Sequence, residues 1–294
     1  MLPWLYWNSA PETAPALRRA GIERFFAPAK SADAWRTQPG LEVKPISDEA
    51  LRGRIQLTPP GVNFRVNVAS ATSAPWIDAN GWRFRRAPGK PFRSEVPAGK
   101  AALAAAEAFA YDADALFSIQ PADLDAFGDL LRLLRSIPQR NLPELADFGF
   151  IDDGSENAGE ILNLLTRRNL LYRIVRAPDP RLRLNLPATA DDPHLFAAKV
   201  REQLSDQQRS LRVYGSEVVL CRLTGNAEVT RVHVLNYGRN RLEGVRLRVR
   251  GSFAHAKVYS TEEDKPLADW AVADGFTEFS IPRLAAYAVI DLTK

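Results

Sequence analysis

The chain has 294 residues, 46% of them hydrophobic and 25% charged, the profile of a globular protein long enough for two domains and a sizeable core. Its formal net charge of +4 is spread along the sequence rather than gathered in a Lys/Arg block, which argues against nucleic acid as a partner. A single cysteine, Cys221, excludes an internal disulfide and a multi-cysteine metal site, and no window approaches the ~18 apolar residues of a membrane span.

The first residues, MLPWLYWNSA, show no basic stretch followed by an apolar one, so no secretory signal is expected. Trp4 to Trp7 reads as a strand, Glu12 to Ala20 as a helix closed by Gly21, and Ile22 to Ala27 as a second strand. A short helix around Ser31 to Arg36 precedes a third strand, Leu41 to Ile46. Ser47 opens a brief helix ending at Gly53, Arg54 to Leu57 is a fourth strand, and Phe64 to Ala69 a fifth. Ser70 to Pro97 reads as an irregular, aromatic-rich loop, too long for an ordinary connection. The alanine-rich Ala98 to Ala110 is a helix by propensity, followed by a sixth strand at Ala115 to Ile119. Asp123 to Ser136 is an amphipathic helix with Leu124, Phe127, Leu130, Leu131 and Leu134 on one face.

LADFGFIDDGSENAGEILNLLTRRNLLYRIV, from Leu145 to Val175, reads as strand, acidic turn, helix and strand. Phe148, Phe150 and Ile151 suit a buried strand, Ser155 an N-cap with Glu156 in the first turn, and Asn169 a helix end. A helix at His194 to Leu204 follows. About eight strands alternating with helices over roughly 205 residues point to an irregular (β/α)8-type barrel, with a doubly wound open sheet as the main alternative. From Arg209 the period changes to short strands without intervening helices, which indicates a C-terminal β-sandwich of about 85 residues. The expected domains are therefore 1–207 and 208–294.

Two passages carry a family resemblance. RVYGSEVVLCRLTGNAEVTRVHVLNYG resembles the small β-sandwich appended to many bacterial glycoside hydrolases, the recurring strand standing here as Arg231 to Tyr237. The segment Leu145 to Val175 resembles bacterial sugar-processing barrels and the flavodoxin-like domain that follows some β-galactosidase barrels. The resemblance implies a glycoside hydrolase-like protein with carbohydrate as its partner. It departs from the largest clan of barrel glycosidases, which carry glutamates after the fourth and seventh strands. Here RIQLTPP ends without a carboxylate, and the seventh strand ends in aspartates.

Glycoside hydrolysis needs two carboxyl groups, about 5–5.5 Å apart for retention and roughly 6.5–9.5 Å for inversion. The candidates are Asp78, in the aromatic loop, with Asp152 or Asp153; the competing reading of Asp152-Asp153-Gly154 is a tight turn with helix N-terminal electrostatics. Trp76, Asn80 and Trp82 supply the flat faces and amide that suit a sugar, or else anchor the loop as buried aromatics. Trp7, Asn8 and Lys30 would line the same mouth in a barrel, with ordinary rim packing as the alternative. Glu107 is expected to face solvent, His233 to be half-exposed, Cys221 to be buried, and Arg246, Arg248 and Arg250 to form a solvated stripe or a subunit contact in a homo-oligomer. The three histidines lack ligand spacing, and there is no G-x-G-x-x-G, P-loop or G-x-S-x-G, so neither metal nor cofactor is expected.

Overall fold

A computed structural model describes residues 1–63, 75–189, 192–262 and 265–294. The expected strand Phe64 to Ala69 lies outside the described residues. The chain divides into two compact units, Met1–Gly61 with Ala87–Pro138, and Val62–Arg86 with Gln139–Lys294.

In chain order the first strands are β1 (Trp4–Tyr6), β2 (Arg24–Pro28), β3 (Glu42–Ile46), β4 (Ile55–Gln56), β5 (Gly61–Asn63) and β6 (Trp76–Asp78). They are followed by β7 (Pro91–Glu95), β8 (Asp114–Ser118), β9 (Phe148–Ile151), β10 (Tyr172–Val175) and β11 (Asn185–Pro187). The helices are α1 (Ala14–Arg19), α2 (Ala29–Ala32), α3 (Asp48–Arg52), α4 (Gly81–Arg86), α5 (Ala101–Ala110), α6 (Leu124–Ser136), α7 (Glu156–Arg167) and α8 (Pro193–Gln203).

The first unit is built on a parallel sheet ordered β3-β2-β1-β8-β7-β4. Its last strand, β8, pairs with its first, β1, so the order is the cyclic order of a barrel opened between β3 and β4. A doubly wound sheet would instead reverse direction beside β1. The N-terminal α/β region is thus barrel-like, and the strands expected as seventh and eighth pair elsewhere. Helix α1 ends in the paired bonds of a Schellman motif, Gly21 N to Arg18 O at 2.9 Å and Ile22 N to Leu17 O at 2.9 Å, with Gly21 at φ +72°. Helix α5 is buried on nearly every side. Glu107, expected in solvent, is 1% exposed; an alanine helix has no polar face from which to read its outside.

The second unit holds β5 paired with β6, a parallel sheet ordered β10-β9-β11, and the sandwich. Helices α7 and α8 cover the β9 sheet through Ile161, Leu162, Leu165, Ala197 and Val200. Ser155 caps α7, its hydroxyl accepting from Ala158 N at 3.1 Å, and Asn169 at φ +51° closes it in the same manner as Gly21. The stretch expected to be irregular is ordered over its described part as β6, α4 and β7. In β7, Phe92 and Ser94 point inward, but PFRSE carries little strand propensity of its own.

From Leu211 onward the paired strands are antiparallel. The sandwich strands are β12 (Leu211–Tyr214), β13 (Val219–Gly225), β14 (Val229–Asn236), β15 (Leu242–Arg250), β16 (His255–Ser260), β17 (Ala268–Ala273), β18 (Phe276–Leu284) and β19 (Tyr287–Thr293). They form two sheets, β12-β15-β18-β17 and β13-β14-β19-β16, around a core of Val219, Cys221, Leu223, Val232, Val234, Leu247, Phe279 and Ile290. Burial pushes the Cys221 thiol well up from its ordinary value, so it packs as a small hydrophobe. His233 is 5% exposed, not half-exposed, because both faces of its strand are covered. Arg246 and Arg250 are exposed, and Arg248 lies over the Phe276 ring at 3.5 Å. The free edge of β13 is covered: Leu145 N donates to Leu223 O at 3.0 Å and Gly225 N to Pro143 O at 2.8 Å. The Asn169 amide completes the cover, donating to Val219 O at 2.8 Å and accepting from Cys221 N at 2.7 Å. Among the described residues no helix is long and apolar enough to cross a membrane.

Gly128, in α6, lies so close to α1 that an added Cβ would stand 1.7 Å from Ala20 O. Backbone cannot yield as a side chain does, so Gly128→Ala is expected to destabilise the first unit by about 3 kcal/mol. Urea denaturation measures it, and an unchanged midpoint would contradict this packing.

Candidate functional site

Among the parallel strands of the second unit, β9 is central, and the loop at its carboxyl end is where α/β folds gather function. That loop is Asp152 to Ser155, as the sequence indicates. Both carboxylates are engaged. Asp152 forms a two-point fork with Arg86 of α4, Nε to Oδ2 at 2.9 Å and Nη2 to Oδ1 at 2.9 Å, and Oδ1 also accepts from Gly154 N at 3.0 Å. The same Nη2 donates to Ser155 O at 2.7 Å. The Asp152 side chain is 11% exposed, so the pair is largely out of water. Asp153 points outward and accepts from Ser155 N at 2.9 Å. Hydrogen bonding by Ser155, through side chain and then backbone, holds the Asp153 carboxyl below the usual carboxylate range, and Arg86 adds to this.

Helix α4 is positioned by α7. A Cβ on Gly159 would stand 2.8 Å from Arg86 Nη1 and 3.3 Å from the Trp82 ring, so glycine there lets the two helices close. Trp82 is half-buried against the α7 core, with the Arg83 guanidinium 4.3 Å from its ring centroid. Asn80 is 2% exposed and starts α4, its backbone oxygen accepting from Arg83 N at 2.8 Å. Trp76 is half-buried, with Arg167 stacked 3.7 Å from its ring centroid, and its Nε1 donates to Asp78 Oδ1 at 3.1 Å. The other Asp78 oxygen accepts from Asn63 Nδ2. Asp78 and Asp152 are thus held by different partners.

Trp7, Asn8 and Lys30 belong to the first unit. Trp7 is 3% exposed and donates from Nε1 to Thr13 Oγ1 at 2.9 Å, which ties β1 to the start of α1. Asn8 and Lys30 are exposed.

The sequence reading missed Arg86 as the partner of Asp152. Its only signal was a basic last turn in GWRFRR, 66 residues before the aspartate. It also missed Asp147, at the amino end of β9. Burial raises the Asp147 carboxyl, against hydrogen bonds from Ser210 and the charges of Arg250 and Arg209. Its Oδ1 accepts from Ser210 N at 2.9 Å, tying the approach to β12 onto the β9 sheet. In the sandwich, His233 Nδ1 lies 2.7 Å from Tyr287 Oη in a buried pair. Burial, then the charges of Arg222 and Arg231, hold the His233 imidazole well below its ordinary value. Among the described residues no three His, Cys, Asp or Glu side chains are placed to hold a metal ion.

Two outcomes follow from these pairs. Arg86→Ala strands a largely buried carboxylate and is expected to destabilise the protein by about 2 kcal/mol, less than the ~3–5 kcal/mol of a fully buried pair. Asp152→Asn, which keeps an acceptor for Gly154 N, should lose less in urea denaturation; the reverse order would contradict the fork. For His233 the folded state stays neutral while the unfolded chain takes up a proton below about pH 6.5. The unfolded state then binds more protons, so stability falls as pH falls through that value toward the lower folded one. His233→Gln should flatten this part of the stability–pH curve, and an unchanged slope would show that the imidazole is not held neutral.

No family model matches the chain, and no curated protein matches it. Among solved structures it is similar to α-L-fucosidase isoenzyme 2 from Paenibacillus thiaminolyticus at 10% identity, covering 94% of this chain and 71% of that one, with a TM-score of 0.49. A catalytic mutant of a GH42 β-galactosidase from G. stearothermophilus aligns at 9% identity over 99% of this chain and 59% of that one, with a TM-score of 0.40. The α-amylase from H. orenii aligns at 9% identity over 100% and 99%, with a TM-score of 0.27.

Proposed function

We propose that the chain is a carbohydrate-binding protein of glycoside hydrolase-like architecture that does not cleave its ligand. The observation that carries this reading is the fork between Asp152 and Arg86. Both oxygens of the carboxylate at the end of β9 are taken by the guanidinium, and one also caps the turn. Oδ1 thus accepts two hydrogen bonds and Oδ2 one, so the carboxylate is built into the fork and the turn. Asp153 is kept ionised by Ser155, the opposite of what a general acid requires. Carbohydrate as the ligand class rests on the resemblance of the strand Arg231 to Tyr237 and its flanks to glycosidase sandwiches. Hydrolysis by Asp78 with Asp152 or Asp153 is the rival reading.

Incubation with a panel of aryl glycosides and oligosaccharides, read by released phenol and by chromatography, separates the two. The expected result is no turnover above the blank, in the wild type and in Asp78→Asn alike. Turnover that disappears in Asp78→Asn or Asp152→Asn would overturn the proposal and restore the hydrolase.

A further inference from the structure

Parallel sheets are as a rule covered on both faces, and in a closed barrel the inner face is filled by layers of bulky branched side chains. In the first unit one face of the sheet obeys this, with Leu5, Phe25, Phe92 and Phe117 at most 2% exposed. The opposite face is polar and aromatic, and it stays half-open. Strand register sets a row across it at the carboxyl ends, where α/β folds bind their ligands. Glu95 of β7 stands beside Ser118 of β8, Ser118 beside Tyr6 of β1, and Tyr6 beside Phe26 of β2. Side chains alternate along a strand, so Arg93 shares this face, one step below Glu95. Beneath the row lies Trp4, its ring flanked by the Arg24 guanidinium at 4.7 Å, the Lys44 ammonium at 4.5 Å and the edge of Phe26 at 5.0 Å.

The polar groups of this row are left without partners. Among the described residues the exposed Glu95 carboxylate makes no ion pair, the Ser118 and Tyr6 hydroxyls make no hydrogen bond, and Arg93 Nε is buried without one. Elsewhere in the unit such groups are matched, as Arg54 is by Asp114 at 3.1 Å and Asp123 by Gly99 N at 2.9 Å. We propose that the row Arg93, Glu95, Ser118, Tyr6 and Phe26 binds a neutral monosaccharide. Its one guanidinium and one carboxylate cancel, so an ionic ligand would meet a like charge. A planar fork of donors and a pair of acceptors suit neighbouring sugar hydroxyls, and the half-exposed rings of Tyr6 and Phe26 suit the apolar side of a pyranose. A protein partner would call for an apolar centre, which this row lacks. The proposal rests on the carbohydrate-binding reading and gives it a place and a charge.

Calorimetric titration of the full chain with glucose, galactose and mannose, each beside its uronic acid and its amino sugar, tests it. A neutral sugar is expected to bind more tightly than its own acid or amine. Glu95→Gln, Ser118→Ala and Tyr6→Phe should each weaken it on the order of fivefold, as loss of one hydrogen bond does. Glu95→Gln and Tyr6→Phe keep the shape of their side chains, so their urea midpoints should match the wild type. A sugar bound with an affinity that none of these variants moves would overturn this placement and leave carbohydrate binding standing. Tighter binding of the acid or the amine would overturn the neutral ligand. Binding of none of the probes would overturn both this proposal and the carbohydrate reading.

Discussion

The fork between Arg86 and Asp152 joins the two features on which the second unit's candidate site depends. It draws α4 onto α7, where Gly159 makes room for the guanidinium, and it fixes the turn after β9 by bonding Asp152 and Ser155 together. A largely buried guanidinium–carboxylate pair holds only while both partners are present and their remaining hydrogen bonds are met. Here Gly154 N and Ser155 O meet them. The arrangement that fixes the loop is the same one on which the non-catalytic reading rests.

The rest of the second unit follows a similar economy of edges and charges. The β9 sheet and the sandwich are tied by backbone groups that would otherwise be open: Asn169 and Pro143 to Leu145 on β13, and Asp147 on Ser210. Inside the sandwich Arg231 pairs with Asp291 at 2.6 Å and His233 with Tyr287 at 2.7 Å.

Much of the architecture is legible in the sequence because local signals and tertiary packing agree. Gly21 and Asn169 end helices where a left-handed residue is needed, Ser155 caps α7, and the alternation through β15 marks a strand with one buried face. The failures have physical causes. GWRFRR lacks an apolar stripe, and its helix depends on packing against Gly159. ADWAVA, in β17, is exposed apart from Trp270 and shows no alternation. Local pattern alone puts Glu107 in solvent and leaves His233 half-exposed, whereas burial is decided by what covers the second face. The candidate aspartates were found because they sit at a strand end. The state in which they are held was not legible, because Arg86 comes from a helix that the sequence did not reveal.

The most direct test of the central claim is a crystal structure grown with a bound oligosaccharide. The expected result is an intact sugar with Asp152 still forked to Arg86. A cleaved sugar, or a saccharide seated against Asp78 and Asp152 with the fork broken, would contradict the account.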